Sequence, residues 1–342
     1  MKRSMLSLLV IGLLSVLLAS CGQSTPVQQT VATPTASFHV HLGRIAWQGF
    51  LDAEQTTAAI FSANADGSDV RQLTHPNNGE EDAWSAWSPD GSTIIFTQSG
   101  QNSGSGDIFL MHADGTGLKQ LTHCTQPSCL GMGVAAWSPD GNTIAYSEGD
   151  GPPRPNGDPA VAALWLMQAD GSHPVQLTHP PLPTSFADDG SAWSPDGTRL
   201  VFERNHLVGQ SYDDQALFVI NRDGTGLKQV TSWGHLKAGN AHWSPDGTRI
   251  LFQSFGAFPA GSTPQLYTIF PDGTHLVQLT TKERNSWPAW SPDGTKIVFA
   301  HRSTTGVDQN AHLYEMNADG SGLVQITKNG FWQLQPAWST SP

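Results

Sequence analysis

From Gly43 to Trp338 the apolar positions of the chain fall in short runs bounded by Gly, Pro, Asp and Asn, a pattern that predicts β-strands. Runs such as Ile94-Ile95-Phe96 and Ile297-Val298-Phe299 end in an aromatic, and that aromatic returns as Trp47, Phe96, Tyr146, Phe202, Phe252 and Phe299. A second column reads Phe61, Phe109, Trp165, Phe218, Tyr267 and Tyr314, and a third, inside Gln-Leu-Thr or a close variant, reads Leu73, Leu121, Leu177, Val230, Leu279 and Ile326. Ahead of these stands Trp-Ser, at Trp87, Trp137, Trp193, Trp243, Trp290 and Trp338, at intervals of 50, 56, 50, 47 and 48 residues. Four columns per interval imply four strands per repeat, and a period of this length is the signature of a propeller or a solenoid.

The turns are as regular as the strands. Pro-Asp-Gly follows five of the six Trp-Ser pairs, with Pro setting φ near −65°, Asp bonding the local backbone and Gly accepting the left-handed conformation. Asp66-Gly67, Asp114-Gly115, Asp170-Gly171, Asp223-Gly224, Asp272-Gly273 and Asp319-Gly320 occupy the same place between strands three and four. Each such turn offers one carboxylate where calcium takes six to eight oxygens, so these aspartates read as turn formers. The chain enters at the second strand of a repeat, Arg44 to Gln48, and stops after one more first strand, Gln335 to Ser339. The expected fold is therefore all-β: a six-bladed β-propeller of four-stranded antiparallel blades, closed by pairing the C-terminal strand with the N-terminal blade, which removes exposed sheet edges.

Trp-Ser-Pro-Asp-Gly, a Lys/Arg-Ile-Val-Phe-like strand and Ala-Asp-Gly-x-Gly-x-x-Gln-Leu-Thr together resemble the WD40-like PD40 repeat of TolB propellers, over Gly43 to Trp338. The same repeat occurs in propellers attached to some peptidases and in oligogalacturonate lyases. The resemblance thus implies an architecture and leaves function to the site.

Lys2 and Arg3 precede the apolar run Met5 to Leu18, which ends in Leu18-Ala19-Ser20-Cys21. This reads as a signal peptide, residues 1–20, with a site similar to the lipobox of bacterial lipoproteins and Cys21 as the lipidated residue. Residues 21–37, rich in Gln, Thr, Ser and Pro and free of charge, read as a disordered tether, and 38–342 as the propeller. The expected location is exported, anchored to a bacterial membrane and facing the periplasm or the cell exterior. Loss of Lys2 and Arg3 leaves 15 basic against 29 acidic residues, which disfavours nucleic acid as a partner. Cys124 and Cys129 are expected to form a disulfide that staples a short loop.

One face of the ring would carry the near-identical Asp-Gly turns and the other the variable segments, such as Glu148 to Val161, Glu203 to Gln215, His123 to Val134 and His179 to Asp189. Binding residues favour variable loops on a rigid scaffold. No nucleophile elbow, His-Glu-x-x-His, Walker loop or dinucleotide fingerprint is present, so no catalytic residue and no cofactor are assigned. Ahead of each repeat Trp stands Ala86, Ala136, Ala192, Ala289 or Ala337, and in one blade His242. Three residues before the Trp the column reads Trp84, Val134, Gly190, Asn240, Trp287 and Gln335, with Glu81, Asp82, Asp188, Asp189, Lys237 and Arg284 just upstream. Because first strands converge on the axis, these positions should ring the channel mouth, with Trp332, Trp233 and Phe331 leading toward it. The reading is a monomeric, non-catalytic binding scaffold for a protein, peptide or glycan. The alternatives are a propeller accessory to a peptidase and, by resemblance to oligogalacturonate lyases with their His-rich manganese site, a metal-dependent lyase using His206, His235, His242, His301 and His312.

Overall fold

The computed structural model describes residues 43–100, 106–124, 129–150, 161–181, 186–208, 211–254, 263–305, 308–328 and 330–339. The expected signal peptide, Cys21, the tether and the loop at 151–160 lie outside the described residues. Every regular element among the described residues is a strand. Blade I contains β1 (Arg44–Phe50), β2 (Ala58–Asn64) and β3 (Arg71–Gln72). Blade II is β4 (Glu80–Trp87), β5 (Thr93–Gly100), β6 (Gly106–His112) and β7 (Lys119–Gln120). Blade III is β8 (Cys129–Trp137), β9 (Thr143–Asp150), β10 (Val161–Gln168) and β11 (Val175–Gln176). Blade IV is β12 (Phe186–Trp193), β13 (Arg199–Val208), β14 (Ser211–Asn221) and β15 (Lys228–Gln229). Blade V is β16 (Ala238–Trp243), β17 (Ile250–Ser254), β18 (Gln265–Ile269) and β19 (Val277–Gln278). Blade VI is β20 (Arg284–Trp290), β21 (Lys296–Arg302), β22 (His312–Asn317) and β23 (Val324–Gln325), after which β24 (Gln333–Trp338) returns to pair antiparallel with β1. Apart from one parallel bridge, Ala58 to Glu81, that joins blades I and II, each sheet is antiparallel and four-stranded.

The aromatic columns explain why these strands pair in this register. Phe96 and Phe109, Phe202 and Phe218, and Phe252 and Tyr267 are direct cross-strand partners, with ring centroids 5.8, 5.9 and 5.6 Å apart. Phe96, Phe202, Phe252 and Phe299 are wholly buried between blades. The core is a set of such interfaces, and the last blade packs on the first: Ala289, Val298 and Leu313 meet Ile45, Trp47 and Trp338.

The fourth strands are only two residues long, and the Gln-Leu-Thr motif accounts for how they hold. Thr231 Oγ1 accepts the Leu217 N–H at 2.9 Å in place of a further ladder bond, and Gln229 Nε2 donates to the Thr231 carbonyl at 2.7 Å. Thr74, Thr122, Thr178, Thr280 and Thr327 repeat the first of these bonds in the other blades. The Pro-Asp-Gly turns are locked as the sequence predicts. In blade IV the Ser194 hydroxyl donates to Asp196 Oδ1 (2.6 Å), Thr198 N–H donates to the same oxygen (3.0 Å), and Gly197 takes φ +67°. The closing strand begins two residues earlier than the sequence suggests. Gln333 and Leu334 pair with Gly49 and Gln48 ahead of a bulge, and Ala337 and Trp338 pair with Ala46 and Ile45 behind it.

Candidate functional site

All six innermost strands share that irregularity. The register shifts between Ala83 and Ala86, Met132 and Ala135, Asp189 and Ala192, Gly239 and His242, and Ser286 and Ala289, and in blade I opposite Gln335. A bulge adds a residue and re-aims its side chain. The extra residue has positive φ in five blades: Trp84 (55°), Gly190 (61°), Asn240 (50°), Trp287 (51°) and Gln335 (54°). Left-handed backbone at a bulky side chain costs on the order of 1–3 kcal/mol and persists only where the surroundings over-determine it.

Here the neighbouring blades do so. The Trp84 N–H donates to Gln335 Oε1 (2.8 Å), the Trp287 N–H to Gln253 Oε1 (2.6 Å) and the Asn240 N–H to Glu203 Oε2 (3.3 Å). In each pair the acceptor comes from the preceding blade, so the ring holds its own inner edge. Gly190 instead bonds Asp189 Oδ1 at 2.8 Å.

The bulge residues, Val134 included, rim a central cavity of about 510 Å³ lined by equivalent positions of all six blades. Its wall is the alanine column Ala86, Ala136, Ala192, Ala289 and Ala337, and its far end is set by the turn prolines Pro89, Pro139, Pro195, Pro245 and Pro292. His242 stands in this alanine column and projects into the lumen. Its surface is open to the channel, the ring has no hydrogen-bond partner among the described residues, and the surrounding protein pushes its pKa down to about 4 by desolvation. The imidazole is therefore neutral and available.

The eleven candidate residues separate into groups. Trp84, Asn240, His242, Trp287 and Gln335 line the central cavity. Glu81 lines an adjoining cavity of about 370 Å³ with Gln48, Phe50, Trp84 and Gln335, and desolvation raises its pKa. Asp82 and Asp188 are buried within the sheets, opposite Gln98 and Arg204 of the second strands. Asp82 accepts from Gln98 at 2.7 Å, and Asp188 takes a bidentate ion pair from Arg204 at 2.6 and 2.8 Å. Arg284 is exposed, and Trp332 packs with Phe50 and Trp287 beneath the Arg302 guanidinium, 4.6 Å from its ring. Trp233 packs at a tilt on Phe186 and Phe218, outside the lumen lining, while Phe331 is exposed.

Asp189 lies behind Gly190 and faces Glu203 across β12 and β13. Sequence reasoning passed over Glu203, which it took only as the start of a variable loop. Glu203 is 9 % exposed, and desolvation, then the Asp189 charge, pushes its carboxyl up to about 8. A Cβ at position 190 would sit 3.1 Å from that carboxyl, so the glycine leaves the space the acid occupies. The signal was present in the chain: Glu203 follows the second-strand aromatic, where other blades carry Gln48, Thr97, Ser147, Gln253 or Ala300.

The five histidines of the lyase alternative are dispersed. His301 and His312 are cross-strand partners in blade VI, bonded to Asn285 and Asp308, each at 2.8 Å. His206 packs on Phe186 in blade IV and His235 is exposed in the link to blade V. Among the described residues no group of three or more His, Cys, Asp or Glu is placed to hold a metal ion.

Residues 184–342 match the TolB beta propeller domain, PD40. No curated protein sequence matches the chain. Among solved structures, TolB from Acinetobacter baumannii is 19 % identical with a TM-score of 0.66, covering 87 % of this chain and 66 % of its own, just under two thirds. A putative TolB from Agrobacterium tumefaciens is 20 % identical with a TM-score of 0.56, over 85 % of this chain and 91 % of that one. An oligogalacturonate lyase from Vibrio parahaemolyticus is 13 % identical with a TM-score of 0.53, over 80 % of this chain and 72 % of that one. At such identities the likeness concerns the fold, and the fold of this chain is that of a TolB-like β-propeller.

Proposed function

We propose that this chain is an exported, non-catalytic lipoprotein, anchored through Cys21, that binds a protein, peptide or glycan partner at the axial mouth of its propeller. The observation that carries the reading is the rim itself: six inner strands turn five kinds of residue, with two strained tryptophans among them, onto one cavity. Cavities walled by apolar groups with a few convergent polar ones are the usual form of a recognition site. Support for an exported location comes from the N-terminal pattern and from Cys124, which is disulfide-bonded and is paired in this reading with Cys129.

A pull-down of envelope proteins and a glycan array, run with the wild type and with Trp84→Ala and Trp287→Ala, test the reading. A partner lost by both variants at unchanged fold supports it, and a partner retained by both contradicts it. The metal-dependent lyase would need its histidines gathered, and metal analysis of the purified protein with an assay on oligogalacturonate tests that alternative.

A further inference from the structure

The mouth is chemically two-sided. Going round the ring, Trp287, Gln335 and Trp84 belong to consecutive blades VI, I and II, and Val134, Gly190 and Asn240 to blades III, IV and V. Aromatic side chains thus line one half, and in the opposite half Gly190 has no side chain. The Glu203 carboxyl fills the space beside Gly190, and Asp189 is its cross-strand partner.

Comparison with the adjacent acid shows what this pair lacks. Asp188, one residue earlier, is buried against Arg204 with two hydrogen bonds. Asp189 accepts only from the Ser147 hydroxyl and the Gly190 N–H, and Glu203 only from the Asn240 N–H, so neither carboxyl has a cationic partner among the described residues. Lys237 and Arg284 line neither cavity and make no hydrogen bond to either carboxyl among the described residues. Next to Gly190 on the cavity wall, Ser191 is 3 % exposed and its hydroxyl has no partner among the described residues. Two facing carboxyls without a counter-charge, near an unused hydroxyl and across the ring from two tryptophans, form a site short of one cation.

We infer that the axial mouth binds a basic side chain, the ammonium of Lys or the guanidinium of Arg on a peptide segment of a protein partner, held between Asp189 and Glu203 on one side and Trp84 and Trp287 on the other. The inference rests on the axial binding reading and narrows it to one ligand chemistry. An acidic protein, with a net charge of −12 over the whole chain, favours basic partners in the same sense. Because burial holds the Glu203 carboxyl protonated near neutrality, seating a cation there displaces its proton. The other charge that acts on the pair is Asp188, the neighbour of Asp189 on β12, and it is itself held by Arg204.

The test is a linear random-peptide display library panned against the full chain. Selected peptides are then resynthesised with each Lys or Arg replaced by norleucine. The account expects basic residues in the selected peptides, at least a tenfold loss on one norleucine replacement, and a comparable loss for Glu203→Gln. It also expects calorimetric binding enthalpies that depend on the buffer, as proton release requires. Peptides that lose binding to Trp84→Ala and Trp287→Ala but tolerate norleucine throughout would overturn the cation and leave the axial site standing. Peptides indifferent to both tryptophan variants, or no selected peptide at all, would overturn the axial site and the inference with it. The norleucine arm alters only the peptide, so it stands even where a variant protein fails to fold.

Discussion

The inner strands have two ends, and the six blades treat them in opposite ways. At the turn end every blade that carries Pro-Asp-Gly repeats the same solution: Ser88, Ser138, Ser194, Ser244 and Ser291 each donate to the aspartate two residues on, with prolines lining the cavity. At the bulge end the backbone is again repeated, yet the side chains are Trp84, Val134, Gly190, Asn240, Trp287 and Gln335. Repetition of a motif reports what folding requires of every blade. Departure from it on a shared backbone reports what folding leaves free, and there a ligand-specific surface can be built.

The two ends also differ in how their acids are held, which sets opposite responses to pH. Hydrogen bonds from Ser and from backbone N–H groups hold Asp90, Asp140 and Asp196 down at about 2, while desolvation holds Glu203 up at about 8. The turn aspartates therefore contribute stability that is present above their unfolded pKa and lost as pH falls from about 4 toward 2. Glu203 works the other way. The folded state keeps its proton where the unfolded chain has released it, so stability falls as pH rises from about 4.5 to 8 and is level beyond.

The largest expected effect comes from the element that closes both ends. Deleting residues 329–342 removes β24, with the buried Trp338 and Leu334, and exposes the edge of β1. Thermal unfolding should lose its single cooperative transition or fall by well over 10 °C, on the order of 4 kcal/mol or more. An unchanged melting temperature would show that β24 does not close the sheet.

Next in size is the acid pair. Glu203→Gln keeps an acceptor for the Asn240 N–H and removes the buried ionisation. The variant should be more stable than the wild type above pH 8 by on the order of 5 kcal/mol, equal near pH 4, and flat between them in urea titrations. A wild-type stability that does not decline over that range would contradict the burial of this group. Gly190→Ala places a methyl 3.1 Å from the Glu203 carboxyl on left-handed backbone and should cost roughly 1–2 kcal/mol by the same measurement.

His242→Ala should be the mildest for folding, within about 0.5 kcal/mol, because it restores the residue of the other blades and removes no hydrogen bond. Its expected consequence is weaker binding of a selected peptide. A large loss of stability with normal binding would make it a structural residue.

Much of this was legible in the chain, for reasons that particular residues show. The aromatic columns and Gln-Leu-Thr could be read because each blade buries the same groups in the same register, as Phe202 against Phe218 and Thr231 against Leu217 do. His242 was legible as a departure from alanine, and it does line the cavity. Asp82 and Asp188 were misplaced toward the mouth because strand alternation and the bulge decide which side chains reach the lumen, and a bulge changes that parity by one residue. Glu203 stood out in the column after the second-strand aromatic, but its burial depends on Gly190 across the strand pair, which that column does not show.

The most direct measurement is hydroxyl-radical footprinting of the full chain, free and with a library-selected peptide bound. The account predicts protection of Trp84, Trp287 and His242 at the mouth, with the turn-face side chains Val70, Leu118 and Leu323, exposed in the free protein, left unchanged. Protection of the turn-face residues with an unaltered mouth would contradict it.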